Sequence, residues 1–339
     1  MTVLKLFRVL GVTLAACSVL FAGPARAELS EVKIARQYGV SYLPLMIMQD
    51  QKLFEKHAAQ TGISGLKVSW VEFAGGNVMN DALLSDSLQI ASGGVAPLVL
   101  LWSRTHGTQV EVKALSAINS MPLLLNTTNA KVKTVNDFTG QDKIALPAAK
   151  VSIQAITLQM AAEKAFGSGN QAQLDKYTVS LSHPDAQQAL MSGNSEVTAH
   201  FASPPFQEQE LQKPNVHTVL NSYDVLGGKS SFNLVWCTAR FYQQNPKLAK
   251  AFMDALDEAE ATINRDKHAA AVAYLRISKE KSSVAEVEKM ISSPDVSFTT
   301  TPQNTMKYAD FMARTGLIKV KPQSWKELFF PDAQSLQGS

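Results

Sequence analysis

The chain has 339 residues, 45% hydrophobic and 18% charged, with two cysteines and a formal charge of +3. That length and apolar content suffice for one large core or two ordinary ones. The near-balance of charge argues against a nucleic-acid protein held by a basic surface, and cysteine is too scarce for a disulfide scaffold.

Lys5 and Arg8 precede an apolar run over residues 9–22, and Ala25 and Ala27 occupy the two positions a signal peptidase reads. Residues 1–27 are therefore expected to be an export signal, cleaved before Glu28, that delivers the mature chain to the periplasm. The run is shorter than the roughly 18 residues an uncleaved anchor needs. Residues 14–17, LAAC, also fit a lipoprotein site that would acylate Cys17, but the SVLFAG that follows is apolar where a lipoprotein continues as a polar tether. Simple cleavage is favoured. Without this segment, which holds Lys5, Arg8 and Arg26 and no acid, 29 basic and 29 acidic residues remain and the chain is neutral. Cys237 is then the sole thiol, expected to be buried in the strand-like FNLVWC.

Residues 32–37 read as a first strand, followed by a tyrosine-containing loop and a helix with Pro44 in its first turn. A strand over 66–73 runs into Gly75-Gly76-Asn77 and a helix over 78–85, then a strand over 88–91 and a glycine turn. This alternation implies a mainly parallel sheet with helices on both faces. Two tightly joined strands, 110–119 and 121–127, suggest passage into a second lobe. There strands 143–146, 176–180 and 196–201 alternate with helices over 151–166 and 185–191. Strand-like 216–220 and 232–238 flank Gly227-Gly228, a candidate return crossing. Beyond Arg240 the pattern is helical, over 246–278, 284–291 and 303–314, and is assigned to packing on the first lobe.

At an offset of 107, NDALLSDSLQIASGGVAP (from Asn80) lies over QQALMSGNSEVTAHFASP (from Gln187), with Ala82, Leu83, Ser85 and Pro97 matched by Ala189, Leu190, Ser192 and Pro204. Both copies follow one order of elements, as two equivalent lobes would.

Together with the export signal, the early tyrosine, VEF-x-GG into a helix, ALLSDSLQIASGG, TVNDFTGQDKIALP and ALMSGNSEVTAHFASPPF resemble the solute-binding proteins of ABC importers of the nitrate/sulfonate/taurine class, relatives of the thiamine-precursor binding proteins. The likeness spans residues 32–240. It implies a type II periplasmic binding protein of two α/β lobes on a two-strand hinge: residues 28–119 and 229–339 in the first lobe, 120–228 in the second. It further implies a monomer that binds a small organic solute without a cofactor and hands it to an inner-membrane ABC permease with its cytoplasmic ATPase. Gln89 and Glu196 depart from the aspartate common in such proteins, and His200-Phe201 is an unusual strand ending. The same resemblance leaves open a pyrimidine-binding or pyrimidine-synthesising protein of this fold, or an exported receptor for a membrane sensor.

Ligands of open α/β sheets sit beyond the carboxyl ends of the strands, so the expected site is the cleft between lobes. Glycine turns and helix N-termini would offer backbone N–H groups there to an anion. The first lobe is expected to contribute Gln37, Tyr38 and Tyr42 after the first strand, Gly75, Gly76 and Asn77 at a helix start, Ser92, Gly93 and Gly94 at a strand end, and Asn119 at the crossing. Lys150, Val151 and Ser152 open the long second-lobe helix. His200 and Phe201 stand where the first copy has Gly93 and Gly94, and Tyr223 lies near the return. Each also has a purely structural reading: a tyrosine filling a junction, a plain turn, a lysine in water, a hydrogen-bonded core histidine.

Catalysis finds no support in motifs. His57, His106, His183, His200, His217 and His268 show no metal-ligand spacing, and there is no G-x-S-x-G elbow, P-loop or dinucleotide fingerprint.

Overall fold

The computed structural model describes residues 27–339, so residues 1–26, with Cys17 and nearly all of the expected export signal, lie outside it. The chain opens with β1 (Glu31–Arg36), α1 (Leu43–Gln51), α2 (Leu53–Gln60), β2 (Lys67–Glu72), α3 (Gly76–Leu84), β3 (Ala91–Gly94), α4 (Val95–Thr105) and β4 (Val112–Ala117). A second unit follows: β5 (Leu124–Thr127), β6 (Ile144–Leu146), α5 (Ile153–Phe166), β7 (Thr178–Ser180), α6 (His183–Ser192), β8 (Ala199–Phe201), α7 (Phe206–Glu210), β9 (His217–Asn221) and α8 (Ser222–Leu226). β10 (Asn233–Thr238) then leads into α9 (Ala239–Gln244), α10 (Pro246–Arg265), α11 (Lys267–Ser278), α12 (Val284–Ile291) and α13 (Thr305–Arg314).

In the first lobe, parallel β1 and β2 connect through a single Ile34–Ile90 bridge to an antiparallel sheet of order β3-β10-β4. The second lobe has one sheet, β7-β6-β8-β5-β9, parallel from β7 to β8 and antiparallel beyond. The second-lobe sheet is thus mixed, and the first lobe joins a parallel pair to an antiparallel sheet, where mainly parallel sheets were expected. The antiparallel strands include β5, by which the chain enters the second lobe, and β10, by which it returns. The two crossings pair with each other through a Ser120–Ser231 bridge. Asn119 pins them: its Nδ2 donates to the Ser41 carbonyl at 2.5 Å, and its Oδ1 accepts from Asn233 N at 3.3 Å.

The glycine pair expected to form a turn lies inside β3, three residues later than the strand placed by sequence. Gly93 is paired with Leu234, and the ring of Trp236 sits 3.0 Å from where a Cβ at Gly93 would be. Only at Gly94, the N-cap of α4, does the chain turn. That helix went unrecognised, although Pro97 sits in its first turn as helix starts favour. The helix expected over 246–278 is two: Asp266 ends α10 and caps α11, its side chain accepting from Ala269 N.

α10 buries Leu248, Phe252, Ala255, Leu256, Ala259 and Ile263, a 3–4 residue period that makes one apolar face. This face packs on α1 and α2, with Phe252 edge-to-face on Phe54 at 5.5 Å. A single continuous core joins these helices to both lobes, and a satellite of Ala145, Ala186, Leu190 and Val197 lies under α6. The helical tail is not confined to the first lobe. On α13, Arg314 pairs with Glu163 of α5 at 2.6 Å, and the Tyr308 hydroxyl lies 3.0 Å from the Thr157 hydroxyl.

Phe252 is fully buried with an aromatic partner, so Phe252→Ala is expected to cost about 3–5 kcal/mol of unfolding free energy. Chemical denaturation followed by circular dichroism measures this; a loss below 1 kcal/mol would mean that α10 does not anchor the first lobe.

Candidate functional site

The site is a cavity of about 150 Å³ between the lobes. Starts of four helices reach it: Gly76 of α3, the Gly94 cap of α4, Ser152 with Ile153 and Gln154 at α5, and His183 at α6. The first N–H groups of a helix have no partner within it and carry its positive partial charge. Ser152 Oγ satisfies one of them, accepting from Ala155 N at 3.2 Å. Pro97, Leu101, Pro147, Ala148 and Phe232 supply an apolar lining, while Arg104 and Asp81, both exposed, bring one charge of each sign. Two buried oxygens on the wall, Ser203 Oγ and Asn80 Oδ1, have no hydrogen-bond partner among the described residues. Ser203 is fully buried, where an unmatched hydroxyl costs about 1–3 kcal/mol.

The lobes touch beside this cavity because two glycines let them. A Cβ on Gly94 would lie 2.7 Å from Ile153 Cβ, so α4 and α5 abut only while position 94 is bare. Gly39 has φ +108°, and a Cβ there would fall 2.7 Å from the Pro204 carbonyl oxygen, which accepts from Val40 N at 3.1 Å. Both contacts tie the loop and helix starts of the first lobe to the second.

Of the residues expected from sequence, the cavity wall gathers Gln37, Tyr38, Tyr42, Gly76, Gly94, Val151 and Ser152. Burial pushes the Tyr42 hydroxyl far above its usual range, so it is a neutral group. Gly75 is the N-cap of α3, beside the cavity but not on its wall, and Asn77 is the second residue of that helix. Ser92 is turned into the sheet, its hydroxyl donating to the Ala35 carbonyl at 2.6 Å, and Gly93 packs against Trp236 and the Gln37 amide. Asn119 serves the crossing.

In the second lobe Lys150 is exposed and turned outward by a left-handed backbone, φ +69°, while its neighbours Ala148, Val151 and Ser152 face the cavity. Phe201 is core, fully buried. His200 is also fully buried and stands one layer back, with His183 between it and the cavity. Tyr223 braces the crossings, its hydroxyl donating to the Asp295 carbonyl at 3.0 Å and lying 2.9 Å from Ser120 Oγ; burial pushes it up to about 12.

Asn80, Gln154, His183 and Ser203 were missed. For His183 the signal was present: α3 begins at Gly76 and α6 at His183, an offset of 107, so His183 is the second-lobe counterpart of Gly76. Among the described residues no group of three or more His, Cys, Asp or Glu side chains is placed to hold a metal ion.

Two α/β lobes with paired crossings and a cleft rimmed by helix starts define the periplasmic-binding-protein fold, as its structural neighbours do. Residues 25–278 match the NMT1-like family, and the chain belongs to that family. The alkanesulfonate-binding protein SsuA of Xanthomonas axonopodis pv. citri, solved bound to MOPS, is similar at 20% identity and TM-score 0.67, covering 87% of this chain and 96% of that one. The periplasmic aliphatic sulphonate binding protein SsuA of Escherichia coli aligns at 18% identity and TM-score 0.63, over 89% and 92% of the two chains. The periplasmic nitrate-binding protein NrtA of Synechocystis PCC 6803 aligns at 14% identity and TM-score 0.68, over 91% and 86%. No curated protein sequence matches the chain. The kinship drawn from the motifs therefore holds, and the neighbours named are solute-binding proteins.

Gly94→Val is expected to leave the circular dichroism spectrum intact but hold α4 away from α5. The radius of gyration from solution scattering should rise; an unchanged radius would show that Ile153 yields and the glycine does not control lobe approach.

Proposed function

We propose that this chain is an exported solute-binding protein that captures a small organic anion between its lobes and delivers it to an ABC importer. The observation that carries the reading is the convergence of helix starts from both lobes, α3 and α4 from one and α5 and α6 from the other, on one cavity whose buried Ser203 hydroxyl has no protein partner among the described residues. Such ends favour anions, and groups from both lobes are what a ligand needs to prefer the closed state. The apolar lining suits an alkyl or flat portion behind the charged head. The sulfonate- and nitrate-binding neighbours support the same class of ligand, periplasmic location and permease partner. No catalytic step is assigned to the site.

A panel of ethanesulfonate, taurine, nitrate, short carboxylates and thiamine-type pyrimidines tests this by thermal shift and scattering. A cognate anion at a hundredfold excess over its Kd should add about 2.7 kcal/mol to stability and raise Tm by several degrees, with a smaller radius of gyration. Ser203→Ala should weaken that binding about tenfold, the worth of one hydrogen bond to a charged group, while leaving the Tm of the free protein within a few degrees. If no anion in the panel shifts Tm, or if turnover of one is found, the reading fails.

A further inference from the structure

Behind the second-lobe wall runs a row of buried polar side chains from four elements: Glu210 on α7, His200 on β8, His183 at the start of α6 and Gln154 in the first turn of α5. Glu210 Oε1 lies 2.5 Å from His200 Nδ1, His200 Nε2 lies 2.8 Å from His183 Nδ1, and His183 Nε2 lies 3.3 Å from Gln154 Nε2. Glu210 and His200 are fully buried, and of the four only His183 and Gln154 line the cavity. The second carboxylate oxygen is also occupied: Asn126 Nδ2 donates to Glu210 Oε2 at 2.9 Å, and Asn126 Oδ1 accepts from Thr218 Oγ1 at 2.8 Å.

Hydrogen-bond direction along this row is dictated from its buried end. A carboxylate only accepts, so His200 Nδ1 carries a hydrogen and, in the neutral ring, His200 Nε2 accepts. His183 must then donate from Nδ1 and accept at Nε2, which receives an N–H of the Gln154 amide. Gln154 Oε1 is left for the cavity. One added proton reverses everything beyond His200. Arriving at His183 Nε2, it lets His183 release its Nδ1 proton to His200 Nε2, so His200 becomes an imidazolium beside Glu210 and His183 stays neutral as the other tautomer. Gln154 must now turn its amide so that Oε1 accepts from His183 Nε2–H, and its NH2 group faces the cavity.

We propose that Glu210 and His200 are positioning residues that decide, through the tautomer of His183, whether Gln154 offers the cavity an acceptor or a donor, and that one proton on this chain thereby turns the second-lobe wall toward anions. The buried chain changes from a net −1 to neutral at the same time, which acts in the same direction. Burial and the adjacent His200 hold His183 well below the usual histidine range, and it is His200, not His183, that touches the carboxylate, so the geometry puts the added proton there. The other titratable groups near the row are Glu208 on α7, beside Glu210, whose carboxyl burial pushes up to about 7, the exposed Asp185 two residues beyond His183 on α6, and Tyr38 on the same cavity wall as His183. β5 and α5 present the uncharged Asn126 and Gln154, and Phe206 stacks on His183 at 5.5 Å. The consequence for anions rests on the cleft being the solute site; the chain itself does not.

The test is long-range 1H–15N correlation spectroscopy of the imidazole rings in uniformly labelled full-length protein, free of ligand, as the solution is titrated with acid. On acidification His200 is expected to gain its second proton while the His183 proton moves from Nδ1 to Nε2. Because each ring is read separately, titration of Glu208 does not obscure the result. A His183 tautomer that stays the same throughout overturns the proposal and leaves the row as structural bracing. Calorimetry with ethanesulfonate as probe is the second arm: its affinity should rise about tenfold as pH falls through the same titration, the factor that one charge-assisted hydrogen bond supplies. In Glu210→Gln that rise should flatten, and an unchanged profile in a folded variant counts against the proposal. A tautomer switch in a protein that binds ethanesulfonate at no pH would sustain the chain while removing the sulfonate reading of the cleft.

Discussion

The closed arrangement depends on bringing the N-terminal ends of α4 and α5 together across the cleft, with those of α3 and α6 nearby. Each end carries about half a positive charge, and in a small cavity walled by proline, leucine and phenylalanine the screening by water is weak. Four like partial charges repel. Gly94 makes their approach sterically possible, since any side chain there would meet Ile153, but it does nothing to lower the electrostatic cost. Under the reading proposed here a shared anion lowers that cost, so the fold links closure to occupancy without a dedicated cation on the wall deeper than the exposed Arg104.

What else holds the lobes together is suited to letting go. Across the interface are the Arg314–Glu163 pair, the Thr157–Tyr308 hydroxyl contact, Gln209 on Glu280 and Ser282, and one backbone bond from Val40 to Pro204. Exposed ion pairs and single hydrogen bonds contribute up to about 1 kcal/mol each. These polar contacts can break at little cost, whereas the apolar core is continuous through both lobes and holds them more strongly. Asn119, Ser120 and Tyr223 tie the crossing segments to one another and to their surroundings: Asn119 donates to the Ser41 carbonyl and the Tyr223 hydroxyl to the Asp295 carbonyl, both outside the crossings.

The sequence made the fold legible because its signals are local. Strand–glycine–helix alternation and the offset of 107 depend on neighbours in the chain, and α3 with β3 and α6 with β8 follow that offset in the structure. Of the candidate cavity's wall, the sequence pointed to Gly76, Gly94, Val151 and Ser152 through their turns and helix starts, and to Gln37, Tyr38 and Tyr42 through their place after the first strand. It failed where the direction of a side chain matters. Lys150 was chosen for its charge, but its left-handed backbone turns it outward, a choice that a lysine in sequence does not announce. His200 was chosen by its equivalence to Gly93; at a strand end the side chain alternates from face to face, and here it points toward α6 and α7, leaving His183 to meet the cavity. Ser203 lies inside ALMSGNSEVTAHFASPPF, but nothing in that stretch singles it out; it stands out only by being buried with no partner among the described residues.

The two lobes therefore reach the cavity from equivalent helix starts by different means. Gly76 brings bare backbone, whereas His183 brings a ring backed by His200, Glu210 and Asn126. A buried network of this kind is expensive, and one built only for stability could be replaced by apolar side chains of similar volume at little loss. Its completeness argues against neglect: both Glu210 oxygens and both nitrogens of each histidine have partners. At the cavity the network ends in Gln154, whose amide can present either a donor or an acceptor. Under the reading proposed here, the first lobe offers backbone donors whose direction is fixed and the second a chain whose direction can reverse, so selectivity would lie in that difference.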